Sequence, residues 1–133
     1  MQDLQKVCRV AVVQMAPVMF DKEASLKKCV ALINEAGKKK ADLIVLPELV
    51  IPCYPFGFTV GSRKEPGRED WKRYYDGSIV VPGKETEALG KAAKKAKAYV
   101  SIGVSERDAV SGTLYNSNII LLPTAALLRC IAS

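Results

Sequence analysis

Apolar and polar positions change their period several times along the chain. Val7 to Met15 (VCRVAVVQM) is β-branched and almost wholly apolar, and it stops at Ala16-Pro17. A run of that kind predicts a strand buried on both faces. Asp21 follows as an N-cap, and Leu26, Cys29, Val30, Ile33 and Ala36 then recur at helical spacing up to Gly37. Asp42 to Leu46 (DLIVL) predicts a second short strand, stopped by Pro47. Glu85 to Ala98 predicts a helix with Leu89, Ala92, Ala93 and Ala96 on its inner face. Tyr99 to Val104 and Thr113 to Leu122 predict two more strands, joined as a hairpin by a turn over Asp108 to Gly112.

Residues 51–83 break this regularity. They are rich in proline and glycine and hold Tyr54, Phe56, Phe58, Trp71, Tyr74 and Tyr75. A connection of that length is uncommon unless it carries function. A short helix is expected inside it, near Pro66 to Tyr75. The order is β-α-β-long loop-α-β-β, which argues for an α/β sheet layered by helices. In such sheets ligands bind beyond the carboxyl ends of the strands.

Composition narrows the chemistry. The chain has 133 residues, 49% of them apolar and 26% charged, which is a globular balance and one domain's worth of sequence. It contains no histidine, so Ser-His-Asp and Cys-His catalysis and His-ligated zinc are excluded for these residues. The net charge is +6. Its lysines gather at Lys38, Lys39 and Lys40 and at Lys91, Lys94, Lys95 and Lys97, where a helix ends or exposes a polar face. That distribution reads as solvated helix surface and not as a nucleic-acid footprint. The four cysteines, Cys8, Cys29, Cys53 and Cys130, form no CxxC pair and show no metal-ligand spacing, so neither a metal nor a disulfide framework is expected. No apolar stretch is long enough to span a membrane and no signal-peptide core stands at the N-terminus, so a reducing cytoplasm is the expected setting.

Two glutamates fall at the sheet edge where ligands bind. Glu48 follows the second strand in IVLPEL, and Glu106 follows the third in SIGVSERD. A carboxylate there, in a partly dry pocket, can act as general base. The competing reading is a solvated loop glutamate. Tyr54 lies close by in sequence. Cys53, between prolines in PCYP, is a candidate nucleophile, but no lysine or helix N-terminus beside it would generate its thiolate, and a passive thiol is the competing reading. Cys130 has less support still.

VAVVQMAP, LIVLPELVIPCYP, YYDGSIVVPG, IGVSERD and LYNSNIILLP, in that order, resemble the carbon–nitrogen hydrolases of the nitrilase superfamily. The stretch PGREDWKRYYDGSIVVPG resembles the true nitrilase branch. The resemblance covers residues 6–123 of a single domain, with 124–133 as an atypical tail in which PTAALLRC is faintly similar to a family segment, PTAxER. It implies the N-terminal part of an α-β-β-α sandwich that pairs with another subunit across a helical layer. It also implies hydrolysis of a nitrile or amide by a Glu-Lys-Cys triad, without metal or organic cofactor. By that resemblance Glu48 is the general base, Glu106 a supporting carboxylate acting through the lysine, Tyr54 the aromatic of the following loop, and Asn116 a site-supporting residue. The family's lysine loop and its cysteine motif have no counterpart after Pro123, so the chain alone is expected to be inactive and C-terminally short. An amidase-branch hydrolase, or a non-catalytic subunit that binds full-length homologues, remains open beside the nitrilase reading.

Overall fold

The computed structural model describes residues 7–54 and 67–132. Five strands form one mixed sheet in the order β1 (Val10–Val12), β2 (Leu43–Val45), β3 (Tyr99–Arg107), β4 (Leu114–Leu121) and β5 (Leu127–Ala132). β1, β2 and β3 run parallel, while β3, β4 and β5 are antiparallel to one another in turn. Helix α1 (Lys22–Lys38) links β1 to β2, and α2 (Gly67–Gly77) and α3 (Lys84–Ala96) precede β3.

Local chemistry accounts for these elements. The Asp21 carboxylate accepts from the Ala24 N–H at 2.9 Å and starts α1, as its sequence position predicts. Thr86 closes the first turn of α3, accepting from the Gly83 N–H at 2.9 Å and donating to the Gly83 carbonyl at 2.8 Å. Cys29, Ile33 and Ala36 of α1 and Leu89, Ala92 and Ala93 of α3 join Ile44, Val100, Ile102, Ile119 and Leu121 of the sheet in one buried cluster. The two helices cross closely because Gly37 has no side chain. A Cβ there would lie 2.6 Å from the Ala96 Cβ. Ser25 is also fully buried, which its polarity conceals. Its hydroxyl accepts from the Val18 N–H at 2.9 Å and donates to the Val18 carbonyl at 3.0 Å, pinning the β1–α1 connection.

The first strand departs from expectation. Only Val10–Val12 pairs, and it is not buried on both faces: Val10 is 48% and Val12 81% exposed. Register explains the pattern. Ala11 aligns with Ile44 and faces the helices, whereas Val10 and Val12 align with Leu43 and Val45 on the other, uncovered face. β3 is longer than expected and runs through Glu106, so that residue sits inside a strand and not in the loop after it. The tail forms β5, a strand that its sequence did not announce.

Beyond Val45 the chain continues along β3 without regular pairing. Ile51 bridges Val104 and Ile79 bridges Glu106, both in parallel sense. β3 is therefore flanked in succession by β2, by Ile51 and by Ile79.

Candidate active site

Glu48 is placed by a bulge against β3. The Gly103 N–H donates to the Pro47 carbonyl at 3.1 Å, and the Val50 N–H donates to the Gly103 carbonyl at 3.0 Å. Glu48 and Leu49 lie between these two bonds, opposite the single residue Gly103. Leu49 adopts a positive φ of 47° to make the turn. The bulge fits only because position 103 lacks a side chain: a Cβ would stand 2.5 Å from the Glu48 Cα and 2.8 Å from the Leu49 nitrogen.

The bulge delivers the Glu48 carboxylate to β4. Its Oε1 accepts from the Asn116 Nδ2 at 2.6 Å. A shallow cavity of about 280 Å3 opens there, lined by Val45, Leu46, Ser101, Gly103 and Asn118 as well as these two residues. Ser101 donates to the Asn118 Oδ1 at 3.1 Å on its floor. One carboxylate oxygen is thus held by an amide donor in a cavity whose walls are otherwise neutral. A group in that position can accept a proton from a reacting thiol or water.

Glu106 does not share this site. It is 4% exposed and accepts from the Ser117 hydroxyl at 2.7 Å. Val104 aligns with Ser117, and Ser105 with Asn116. Successive strand residues point to opposite faces, so the two glutamates engage opposite faces of β4. Tyr54 is 43% exposed and meets the Tyr74 ring edge-on, with centroids 5.5 Å apart. Tyr74 belongs to a buried polar group at the top of β3. Ser78 donates to the Tyr74 carbonyl at 2.9 Å, and the Ser78 and Ser105 hydroxyls are 2.8 Å apart. Burial pushes the Tyr74 phenol up from its ordinary range, against the hydrogen bond with Ser105.

The thiols behave differently from one another. Cys53 has a φ of 87°, and burial raises its pKa, which lowers its thiolate fraction at neutral pH. That favours the passive reading of Cys53. Cys130 lies on β5 in register with Asn118. Cys29 is fully buried, 3.9 Å from the Met15 sulfur, and burial pushes its pKa from 9.0 to about 12. The folded chain therefore holds a proton that the unfolded chain releases above about pH 9. Its contribution to stability is complete below that pH and is lost as pH rises toward 12. Urea unfolding across this range is expected to show a decline that Cys29→Ala flattens relative to the unchanged chain. Parallel curves for the two proteins would refute the assignment.

Among the described residues no group of three or more His, Cys, Asp or Glu side chains is placed to hold a metal ion. No helix among them is long and apolar enough to cross a membrane. Gly103 and Ser117 were not singled out in the sequence. A glycine inside the strand pattern YVSIGV is the available signal for close backbone approach. Nothing local distinguishes Ser117.

A mixed sheet with α1 and α3 on one face and a carboxylate raised at the parallel strands' carboxyl end defines an α/β protein with its candidate site where such sheets bind ligands. Comparison with known proteins makes the class specific. The sequence profile of the carbon-nitrogen hydrolases matches residues 9–130, and the chain belongs to that family. It is 44% identical over 119 residues to an aliphatic nitrilase of Sinorhizobium fredii, covering 86% of this chain and 38% of the relative. It is 40% identical over 111 residues to a bifunctional nitrilase/nitrile hydratase of Lupinus angustifolius, covering 80% of this chain and 31% of that one. The chain thus spans about a third of the length of these relatives. In fold it is similar to Saccharomyces cerevisiae Nit3, a member of the nitrilase superfamily, with a TM-score of 0.67 and 25% identity over 92% of this chain and 43% of that one. It also matches XC1258 of Xanthomonas campestris, a CN-hydrolase superfamily protein, with a TM-score of 0.65 and 21% identity, over 92% of this chain and 39% of that one.

Proposed function

We propose that this chain is the general-base portion of a nitrile-hydrolysing enzyme, which converts a nitrile and two waters to a carboxylic acid and ammonia. The observation that carries the reading is the Glu48 carboxylate, raised on its bulge and tied to Asn116 at 2.6 Å. Glu48 takes the proton from the attacking thiol and later from water, with Asn116 fixing the direction of the carboxylate. Glu106 supports the site from the other face by holding Ser117, the residue next to Asn116. Tyr54, stacked edge-on against Tyr74, is the loop aromatic that the family resemblance assigns to the substrate pocket. The nitrilase relatives at 44% and 40% identity favour a nitrile over an amide as substrate. The nucleophile and the lysine are supplied by residues outside these 133, and the chain alone turns over nothing. Free thiols at Cys8, Cys29 and Cys53 suit a reducing, cytoplasmic setting.

The test exchanges the aligned segment of the Sinorhizobium fredii enzyme for this chain. The chimera is expected to release ammonia from aliphatic nitriles, while the isolated chain releases none. A folded chimera that hydrolyses amides but no nitrile would move the assignment to the amidase branch. One that hydrolyses neither would remove the hydrolase reading. Ammonia release by the isolated chain, abolished by Cys53→Ala, would make Cys53 the nucleophile and overturn the division of labour.

A further inference from the structure

The polar group around Tyr74 stands one cross-strand step from the Glu48 carboxylate. Asn116, which holds that carboxylate, aligns with Ser105, so the two side chains share one face of the β3–β4 pair. The Ser105 and Ser78 hydroxyls are 2.8 Å apart, and Ser78 donates to the Tyr74 carbonyl at 2.9 Å. The Tyr74 phenol lies beside the same Ser105 hydroxyl. Tyr74 is 5% exposed, whereas Tyr54, whose ring it meets edge-on with centroids 5.5 Å apart, is 43% exposed. A buried, anchored ring thus touches an accessible one close to the candidate base.

The helix that carries Tyr74 is itself locked to the sheet. Just past α2, the Ile79 N–H donates to the Ser105 carbonyl at 3.0 Å, and the Arg107 N–H donates to the Ile79 carbonyl at 2.7 Å. The Arg107 guanidinium lies 4.9 Å over the Tyr75 ring and donates to the Tyr75 carbonyl at 3.4 Å. At its C-terminal end α2 also presses on the segment that leads to Tyr54. A Cβ at Gly77 would stand 2.8 Å from the Pro52 Cβ, so only a glycine permits that approach. The backbone then reverses at Cys53, with a φ of 87°, and brings Tyr54 onto the Tyr74 ring. Tyr74 is therefore a fixed reference against which the Tyr54 ring is set.

We infer that Tyr74 is a positioning residue of the substrate pocket, which orients the Tyr54 ring through their edge-on contact and touches no reacting atom itself. The inference rests on the proposed function, in which Tyr54 is the pocket aromatic. An edge-on aromatic pair contributes beyond the area it buries, and its loss is expected to weaken substrate binding by roughly three- to tenfold. The Glu48–Asn116 bond includes no atom of either ring, so the loss falls on KM and not on kcat.

A double-mutant cycle in the chimera with the Sinorhizobium fredii enzyme tests it, read on whichever substrate, nitrile or amide, the chimera hydrolyses. Tyr74→Leu is expected to raise KM roughly three- to tenfold with little change in kcat. Tyr54→Leu is expected to raise KM at least as far, and the double variant no further than Tyr54→Leu alone. Tyr74→Phe keeps the ring and is expected to bring KM back close to that of the unchanged chimera. Tyr74→Met fills more of the buried space without a ring and repeats the cycle if Tyr74→Leu does not fold. Effects on KM that multiply in the double variant would make Tyr74 a packing residue that acts independently of Tyr54, and would overturn the proposal. An unchanged KM in Tyr74→Leu, or a loss confined to kcat, would overturn it as well. A chimera that hydrolyses nothing before any substitution overturns the proposed function and this inference together, whereas an active chimera with multiplying effects overturns this inference alone.

Discussion

Glu48→Gln, placed in the chimera with the Sinorhizobium fredii enzyme, is expected to lower kcat for nitrile hydrolysis by about 10³-fold with little change in KM. General-base catalysis contributes typically 10²–10⁴-fold, and Glu48 is the base for both the thiol and the water step in this reading. The substitution is chosen because it separates chemistry from structure. A glutamine oxygen still accepts from the Asn116 Nδ2, so the bond that now holds Glu48 at 2.6 Å has a replacement. The amide nitrogen on its other arm cannot take a proton. The bulge should therefore survive while proton transfer stops, and the melting temperature should stay within a degree or two of the parent. Retained activity in Glu48→Gln would remove this residue from the mechanism. A loss of activity accompanied by a large fall in melting temperature would reduce its role to holding the bulge.

Gly103→Ala is expected to destabilise the chain by about 2–3 kcal/mol, the upper part of the range for overpacking a filled interior. The new methyl would meet backbone, with the Glu48 Cα at 2.5 Å and the Leu49 nitrogen at 2.8 Å. Backbone cannot rotate aside as a side chain can. The bulge must lift off β3, which strains the bond to the Pro47 carbonyl and the bond from the Val50 N–H. For a chain of this size that loss lowers the melting temperature by roughly 10 °C. Ser101→Ala is the matched control, since it changes the same face of the same strand and removes only the bond to Asn118 at 3.1 Å. Equal melting temperatures for Gly103→Ala and the unchanged chain would mean that the bulge is not packed as described.

The elements that announce themselves in sequence are those whose own residues decide them. Asp21 starts α1 where a capping carboxylate is expected, and Asp108 folds the β3–β4 turn by accepting from Val110 and Ser111 at 2.9 and 2.7 Å. The core follows the helical spacing of Cys29, Ile33 and Ala36. What failed to show is set by partners distant in sequence. Val10 and Val12 resemble a buried strand, yet their exposure depends on what covers the far face of the sheet. Glu48 and Glu106 stand alike at the ends of apolar runs, but only alternation along β4 assigns one to Asn116 and the other to Ser117. Ser25 is polar and fully buried because Val18 offers it both a donor and an acceptor. The Glu48–Asn116 pair became legible through the family motif LYNS and not through spacing, because 68 residues separate the two.

The paired bridges on β3 bear on how this chain tolerates change. The segment after Ile51 leaves the sheet at Val104 and returns at Ile79 beside Glu106, two residues further along the same strand. Its ends are thus fixed about 7 Å apart, whatever length of chain runs between them. Closing a loop on fixed ends grows only logarithmically with its length, and a doubling costs about 0.6 kcal/mol. A change of length within this insert therefore costs the sheet little, provided that Pro52, Tyr74 and Ser78, which are buried against it, are kept. Because this insert begins two residues after Val50 closes the Glu48 bulge, its sequence can drift toward new substrates while the base itself stays in register.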